Sequence, residues 1–284
     1  MKKSLYILLV LVVIFLGACS TEKESSIDET KDNVNDKNEN INLEEQNEED
    51  SEVDESDSIS DEVEEQNDVI TKEPQYKMNE IYSIVPIDDA NPKVVLLTID
   101  DAPDKYSLEM AKTLKELDAP AIFFVNGHFI QTPEKQQILK EIYDLGFVIG
   151  NHTATHPNLK EISAEEQKEE IISVNDMVEK ITGERPKFFR APFGVNTEVS
   201  QQIAADENML LMNWSFGYDW DKQYMTKEAI ADIMVNTPLL ANGSNLLMHD
   251  RKWTAEGLES IVTGLREKGY EPVDPKLIQT PNIQ

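Results

Sequence analysis

Between residues 93 and 273 the chain repeats one alternation: a short, uninterrupted run of apolar, β-prone residues, then a stretch whose apolar residues recur at helical spacing. The runs fall at 93–99, 121–125, 147–150, 188–189, 209–212 and 245–248, with 270–273 as a closing seventh. A continuous run, unlike an alternating one, marks a strand covered on both faces. Between the runs, Leu108, Ala111, Leu114 and Leu117 share one helix face, as do Ile138, Leu139, Ile142 and Leu145. Further helices are expected at about 164–182, 197–206, 227–235 and 256–268. Such alternation predicts an α/β fold, a mainly parallel sheet with helices outside it. About seven repeats over this length predict barrel-like closure rather than an open sheet.

Ahead of this unit the composition changes. Residues 20–75 carry 22 acidic and 4 basic residues, few apolar ones, no glycine and one proline. Such a segment cannot bury enough surface to offset the entropy of ordering, and its like charges extend it, so it reads as a disordered acidic tether. It supplies more than half of the net charge of −29. That excess argues against nucleic acid, whose phosphates would be repelled, and against a basic lipid-binding surface. Lys2 and Lys3, the apolar run 5–16 and Leu16-Gly17-Ala18-Cys19 form a secretory signal pattern. The last four resemble the bacterial lipobox, which makes Cys19 the lipidated residue; an uncleaved N-terminal anchor is the alternative. Cys19 is the only cysteine, so the domain has no internal disulfide. Either reading places the domain outside the cytoplasm, tethered to the cell membrane.

Chemistry-bearing residues collect where the expected strands end. Asp100 and Asp101 follow the first, His152 and His156 the third; Arg190 ends the fourth, Asp219 lies past the fifth and His249 ends the sixth. In a parallel β/α barrel these ends share one face, where active sites are built. Adjacent carboxylates face different partners, so one can bind a cation while the other handles a proton. Two imidazoles at i, i+4 have the spacing of a zinc site, and with one Asp they make three ligands with a position left open. His128 has no such partner and reads as a structural loop histidine.

Taken in order, Asp100-Asp101, Asn151-His152-Thr153-Ala154-Thr155-His156-Pro157, Arg190-Ala191-Pro192-Phe193, Asp219-Trp220 and Leu247-Met248-His249 resemble the five motifs of the polysaccharide deacetylases. These are the NodB-homology domains of carbohydrate esterase family 4. The resemblance covers about 91–273. It implies a distorted parallel β/α barrel and metal-dependent removal of acetyl groups from polysaccharide. It makes Asp100 the general base, Asp101, His152 and His156 the ligands of one divalent ion, expected to be Zn2+, and Arg190 the partner of Asp100. Phe193 would offer its backbone N–H to the oxyanion, Asp219 would tune the general acid His249, and Trp220 and Leu247 would line the acetyl pocket. The sequence departs from the family at Ala102, where glycine is usual, and at Phe193, where tyrosine is usual. A φ above zero at position 102 would strain alanine. The stretch 214–218 fits the fourth motif only loosely.

The resulting organisation is a lipoprotein signal peptide at 1–18, lipidated Cys19 with its linker to residue 76, and a deacetylase domain at 77–284. A wall-reaching tether points to N-acetylhexosamine units of peptidoglycan as substrate, acted on by a monomer. An esterase for O-acetylated polysaccharide is the alternative chemistry, and a wall-binding lipoprotein with a degenerate site the alternative class.

Overall fold

The computed structural model describes residues 73–281, which belong to one compact unit. The signal peptide, Cys19 and the acidic segment to residue 72 lie outside the described residues. The fold begins slightly before the boundary expected at 77: Gln75 N–H donates to the Leu277 carbonyl at 2.9 Å. Two strands not foreseen from sequence, β1 (Tyr76–Met78) and β2 (Ile84–Pro86), then form an antiparallel pair.

The main sheet contains β3 (Val94–Ala102), β4 (Ala121–Val125), β5 (Val148–Asn151), β6 (Phe188–Phe189), β7 (Leu210–Leu211), β8 (Phe216–Gly217) and β9 (Ser244–His249). Their order is β7-β6-β5-β4-β3-β9-β8, and every pairing is parallel. A last strand, β10 (Glu271–Pro272), pairs with the start of β3 at Val94 and Val95. The helices are α1 (Ser107–Glu116), α2 (Pro133–Asp144), α3 (Ala164–Thr182), α4 (Glu198–Asp206), α5 (Lys227–Asn236) and α6 (Lys252–Glu267).

The sheet curls into a half-barrel and does not close through a ladder. Its two edge strands, β7 and β8, are consecutive in the chain, joined by residues 212–215. Met212 N–H still bonds the Phe189 carbonyl of β6 at 2.9 Å, and Ser215 N–H the Asn245 carbonyl of β9 at 2.7 Å. Between them the Asn213 carbonyl accepts from Arg190 Nη2 at 3.0 Å and Asn245 Nδ2 at 2.9 Å. Side chains stitch the seam that a ladder leaves open.

The continuous apolar runs are explained by burial on both sheet faces. Along β3, Val95, Leu97 and Ile99 pack with Met110, Leu114, Leu139, Leu258 and Ile261 of the surrounding helices. The alternate residues Val94 and Leu96 pack inside the curl with Ile122, Phe124, Phe188 and Met212. That inner row continues through Thr98 to Asp100, both buried, so the strand's interior turns from apolar to polar as it nears its C-terminal end. α3 begins at a capping box between Ser163 and Glu166 and stops at Gly183 with φ 85°, at the bounds expected from sequence. α6 starts four residues earlier than expected, at Lys252, directly behind the β9 end. Among the described residues no helix is long and apolar enough to cross a membrane.

Candidate active site

The curl brings all the chemistry-bearing strand ends to one face. Asp101, His152 and His156 place one potential ligand atom each within 4.8 Å of one another. His152 is fully enclosed, with Nδ1 2.6 Å from the Arg190 carbonyl. That contact fixes the ring so that Nε2 turns toward the carboxylates, 3.5 Å from Asp100 Oδ2. His156 Nε2 lies 3.8 Å from Asp101 Oδ1. Burial pushes the pKa of His152 down, and burial followed by the neighbouring His152 pushes His156 down. Both imidazoles are therefore neutral at neutral pH, with lone pairs free for a metal. Two neutral imidazoles and a carboxylate form a donor set suited to Zn2+, so these residues fit the ion the resemblance implies.

Backbone geometry shapes this half of the site. Asp101 (φ 64°), Thr153 (φ 67°), His156 (φ 61°) and Phe193 (φ 59°) all occupy the left-handed region that a Cβ disfavours. Ala102 does not, so the alanine at the family's usual glycine position is unstrained; the left-handed turn falls one residue earlier. Ala102 is buried. The loop carrying His152 is held by Asn126, whose Nδ2 donates to the His152 carbonyl at 2.5 Å, and by Asn151, whose Oδ1 accepts from Thr153 N–H at 2.9 Å.

Arg190 is fully buried beneath the site. Its Nη1 donates to Asp100 Oδ1 and Thr98 Oγ1, each at 2.7 Å, and its Nη2 to Asn245 Oδ1 at 3.2 Å. The guanidinium stacks 4.4 Å from the Phe124 ring centroid. Burial lowers the Arg190 pKa, but the adjacent Asp100 charge opposes that shift. With Oδ1 taken by Arg190, Asp100 leaves Oδ2 facing His152 of the Asp101–His152–His156 trio.

Across the site, His249 Nδ1 lies 2.7 Å from Asp219 Oδ1, and its backbone N–H donates to Asp219 Oδ2 at 2.6 Å. Thr254 Oγ1 also donates to Oδ2, at 2.8 Å, and Trp253 Nε1 to the Asp219 carbonyl, at 2.8 Å. Burial, the largest single influence, lowers the His249 pKa. The bond to Asp219 and the charges of Asp219, Asp100 and Asp101 outweigh it, and the net shift is upward. A proton on this ring persists to higher pH than on an ordinary histidine.

The expected substrate residues frame this centre. The Phe193 ring is 65% exposed and meets His156 edge-on at 4.8 Å, while Trp220 is 50% exposed and meets His249 edge-on at 5.5 Å. Leu247 is buried two residues before His249 on β9. Gly217 lets these groups approach: a Cβ there would stand 2.5 Å from the Leu247 carbonyl and 2.8 Å from Trp220 Cζ3. His128 stays outside the centre, with Nδ1 3.0 Å from the Ala154 carbonyl, as expected for a structural histidine. Sequence reasoning missed Asp250 and Arg251, which directly follow His249 and reach Ser107 and Asp101.

Fold and site define a class: a β/α half-barrel whose strand ends gather an arginine-held carboxylate, a carboxylate-held histidine and, between them, three side chains that could hold a metal ion. The profile of the polysaccharide deacetylase family matches residues 88–211. The chain is 33% identical over 202 residues to a peptidoglycan-N-acetylglucosamine deacetylase of Bacillus cereus, covering 67% of this chain and 70% of that protein. It is 30% identical over 196 residues to the peptidoglycan-N-acetylmuramic acid deacetylase PdaA of Bacillus subtilis, covering 67% and 73%. A crystal structure of a CE4 family pseudoenzyme from Bacillus anthracis superposes with a TM-score of 0.58 at 30% identity, covering 64% of this chain and 63% of that one. The chain belongs to the polysaccharide deacetylase family, carbohydrate esterase family 4, and is a hydrolase of that family. The profile match ends before Asp219 and His249, which the fold pairs at 2.7 Å.

Proposed function

We propose that this protein removes N-acetyl groups from N-acetylhexosamine units of peptidoglycan, at a site holding one divalent ion, with Zn2+ the expected metal. The observation that carries the reading is the convergence, from the ends of β3, β5, β6, β8 and β9, of an Arg-held carboxylate, a metal-binding trio and a carboxylate-held histidine. The names of the B. cereus and B. subtilis relatives support peptidoglycan as the polymer.

A bound divalent ion would polarise the acetyl carbonyl and make a coordinated water more acidic. Asp100 Oδ2, the oxygen Arg190 leaves free, accepts the proton of the attacking water. The Phe193 backbone N–H donates to the developing oxyanion. His249, protonated through its contact with Asp219, delivers a proton to the departing amine. Trp220 and Leu247 enclose the acetyl methyl beside that histidine.

The chain reaches its polymer from the membrane, through an acylated Cys19 and the acidic segment that follows. Loss of incorporated lipid label in a Cys19→Ser variant tests that anchor; unchanged labelling removes it. The B. anthracis neighbour is described as a pseudoenzyme. The complete set of acid, base and ligand groups here favours activity over wall binding alone. Acetate release from purified peptidoglycan and from an O-acetylated polysaccharide, with and without chelator, tests the reading. Chelator-sensitive release from peptidoglycan is expected. Release only from the O-acetylated polymer would replace the amidase with an esterase, and no release from either would leave a binding protein.

A further inference from the structure

We propose that Asp250 and Arg251 form a clamp that fixes the orientation of Asp101 toward the metal, making them positioning residues of the site. The inference rests on the metal assignment above. Asp101 sits at φ 64°, in a conformation its Cβ disfavours, so contacts beyond its own backbone must hold it. Arg251 Nη2 donates to Asp101 Oδ2 at 2.9 Å. Oδ1, the oxygen on the His156 side, is left for a metal, which favours ligation through a single oxygen.

Asp250 grips the other end of the same loop. Its carboxylate accepts from the backbone N–H groups of Lys105 (3.0 Å), Tyr106 (2.6 Å) and Ser107 (2.9 Å), and from Ser107 Oγ (2.6 Å). These are the groups at the start of α1, whose own N-cap residue, Tyr106, makes no side-chain cap. A carboxylate from a distant strand end thus caps α1 and pins the loop between Asp101 and the helix. Asp250 N–H donates to the Asp100 carbonyl at 3.0 Å, and Arg251 Nη1 to the Asp250 carbonyl at 3.1 Å. Both residues directly follow His249. The clamp therefore sets the metal ligand and the general acid in register with each other.

The capping bonds alone would make Asp250 a purely structural residue. Arg251 separates the two roles, because its side chain is 37% exposed and, among the described residues, its side-chain bonds reach only Asp101 and the Asp250 carbonyl. The test is Zn2+ affinity of the full chain, measured by competition with a chromophoric chelator, beside the melting temperature of the metal-free protein. Arg251→Ala should weaken Zn2+ binding by about 10–100-fold, the usual loss for a residue that orients a ligand. Its metal-free melting temperature should match wild type. Arg251→Lys should recover part of the affinity, since it restores the charge but not the planar fork. Asp250→Asn should lower both affinity and melting temperature; should it fail to fold, the Arg251 variants decide. An Arg251→Ala affinity within twofold of wild type would overturn the clamp. Tighter binding would do the same, by showing that the guanidinium repels the ion more than it holds the ligand. A wild-type protein that takes up no Zn2+ would overturn the metal assignment and the clamp together. Normal uptake by wild type with unchanged Arg251→Ala overturns the clamp alone.

Discussion

The two halves of the site use the same side chains to opposite effect. On one, His152 and His156 stand near Asp100 and Asp101, and their pKa values move down. On the other, His249 stands against Asp219, and its pKa moves up. What differs is the partner of Nδ1: a backbone carbonyl for His152, a buried carboxylate in direct contact for His249. A carbonyl orients a ring without adding a charge, so burial decides and the ring stays neutral. A carboxylate at 2.7 Å, together with the charges of Asp100 and Asp101, outweighs burial and keeps the proton in place. The means of construction differ as well. The ligand half is shaped by left-handed backbone at Asp101, Thr153 and His156, whereas Asp219 and His249 are held through side-chain hydrogen bonds with neither φ positive.

The largest effects should separate ligand from base. His152→Ala should abolish both bound metal, by elemental analysis, and acetate release. Asp100→Asn should retain the metal and lose roughly 10²–10⁴-fold in kcat, the usual worth of a general base. A metal-loaded Asp100→Asn enzyme with normal turnover would move the base elsewhere. Arg190→Ala should follow, read as stability rather than rate. It leaves the buried Asp100 carboxylate without its counter-charge, a loss of about 3–5 kcal/mol in urea unfolding. A loss below about 1 kcal/mol would mean that water replaces the guanidinium.

A smaller effect should appear in the pH profile, and only on one side. The His249 pKa is raised, so the protonated acid survives to higher pH and activity falls as pH rises through that value. Asp219→Asn removes the raising influence. The basic limb of kcat against pH should move to lower pH, and at a fixed pH above it the rate should fall about tenfold for every pH unit the limb travels. The acidic limb and the metal content should stay put. Movement of both limbs would show that the halves are coupled rather than separately tuned. The smallest effect belongs to Ala102→Gly. Since Ala102 avoids the left-handed region, glycine should bring only its entropic penalty in a strand, about 0.5–1 kcal/mol, with kcat unchanged. A gain in activity would show that the loop needs a backbone conformation alanine denies it.

Much of this was legible because long apolar runs and strand-end residues obey simple periodicities. β4 and α3 fell at their expected bounds, since five consecutive apolar residues in one and a capping box with a terminal glycine in the other leave little room for error. β8 escapes because it is two residues long, among Ser215, Tyr218 and Asp219, and among the described residues pairs only with β9. The sequence alone therefore puts Asp219 past β7, whereas it follows β8, the strand beside β9 and His249. The β1–β2 pair escaped because three-residue strands carry too little periodicity to register. No local pattern marks Asp250 and Arg251, because their partners, Ser107 and Asp101, lie about 150 positions away; only the fold makes them neighbours.

The stitched seam between β7 and β8 has an evolutionary consequence. Arg190 joins that seam through Asn213 and serves the carboxylate of Asp100 at the same time. A lineage that substitutes it loses the partner of Asp100 and a stitch of the seam in one step, so selection meets the change even where the chemistry is no longer needed. Phe193 and Trp220, exposed at the rim, answer to no such double demand. Drift in descendants of this chain should accumulate first at the rim, altering which polymers are accepted while the buried arginine persists.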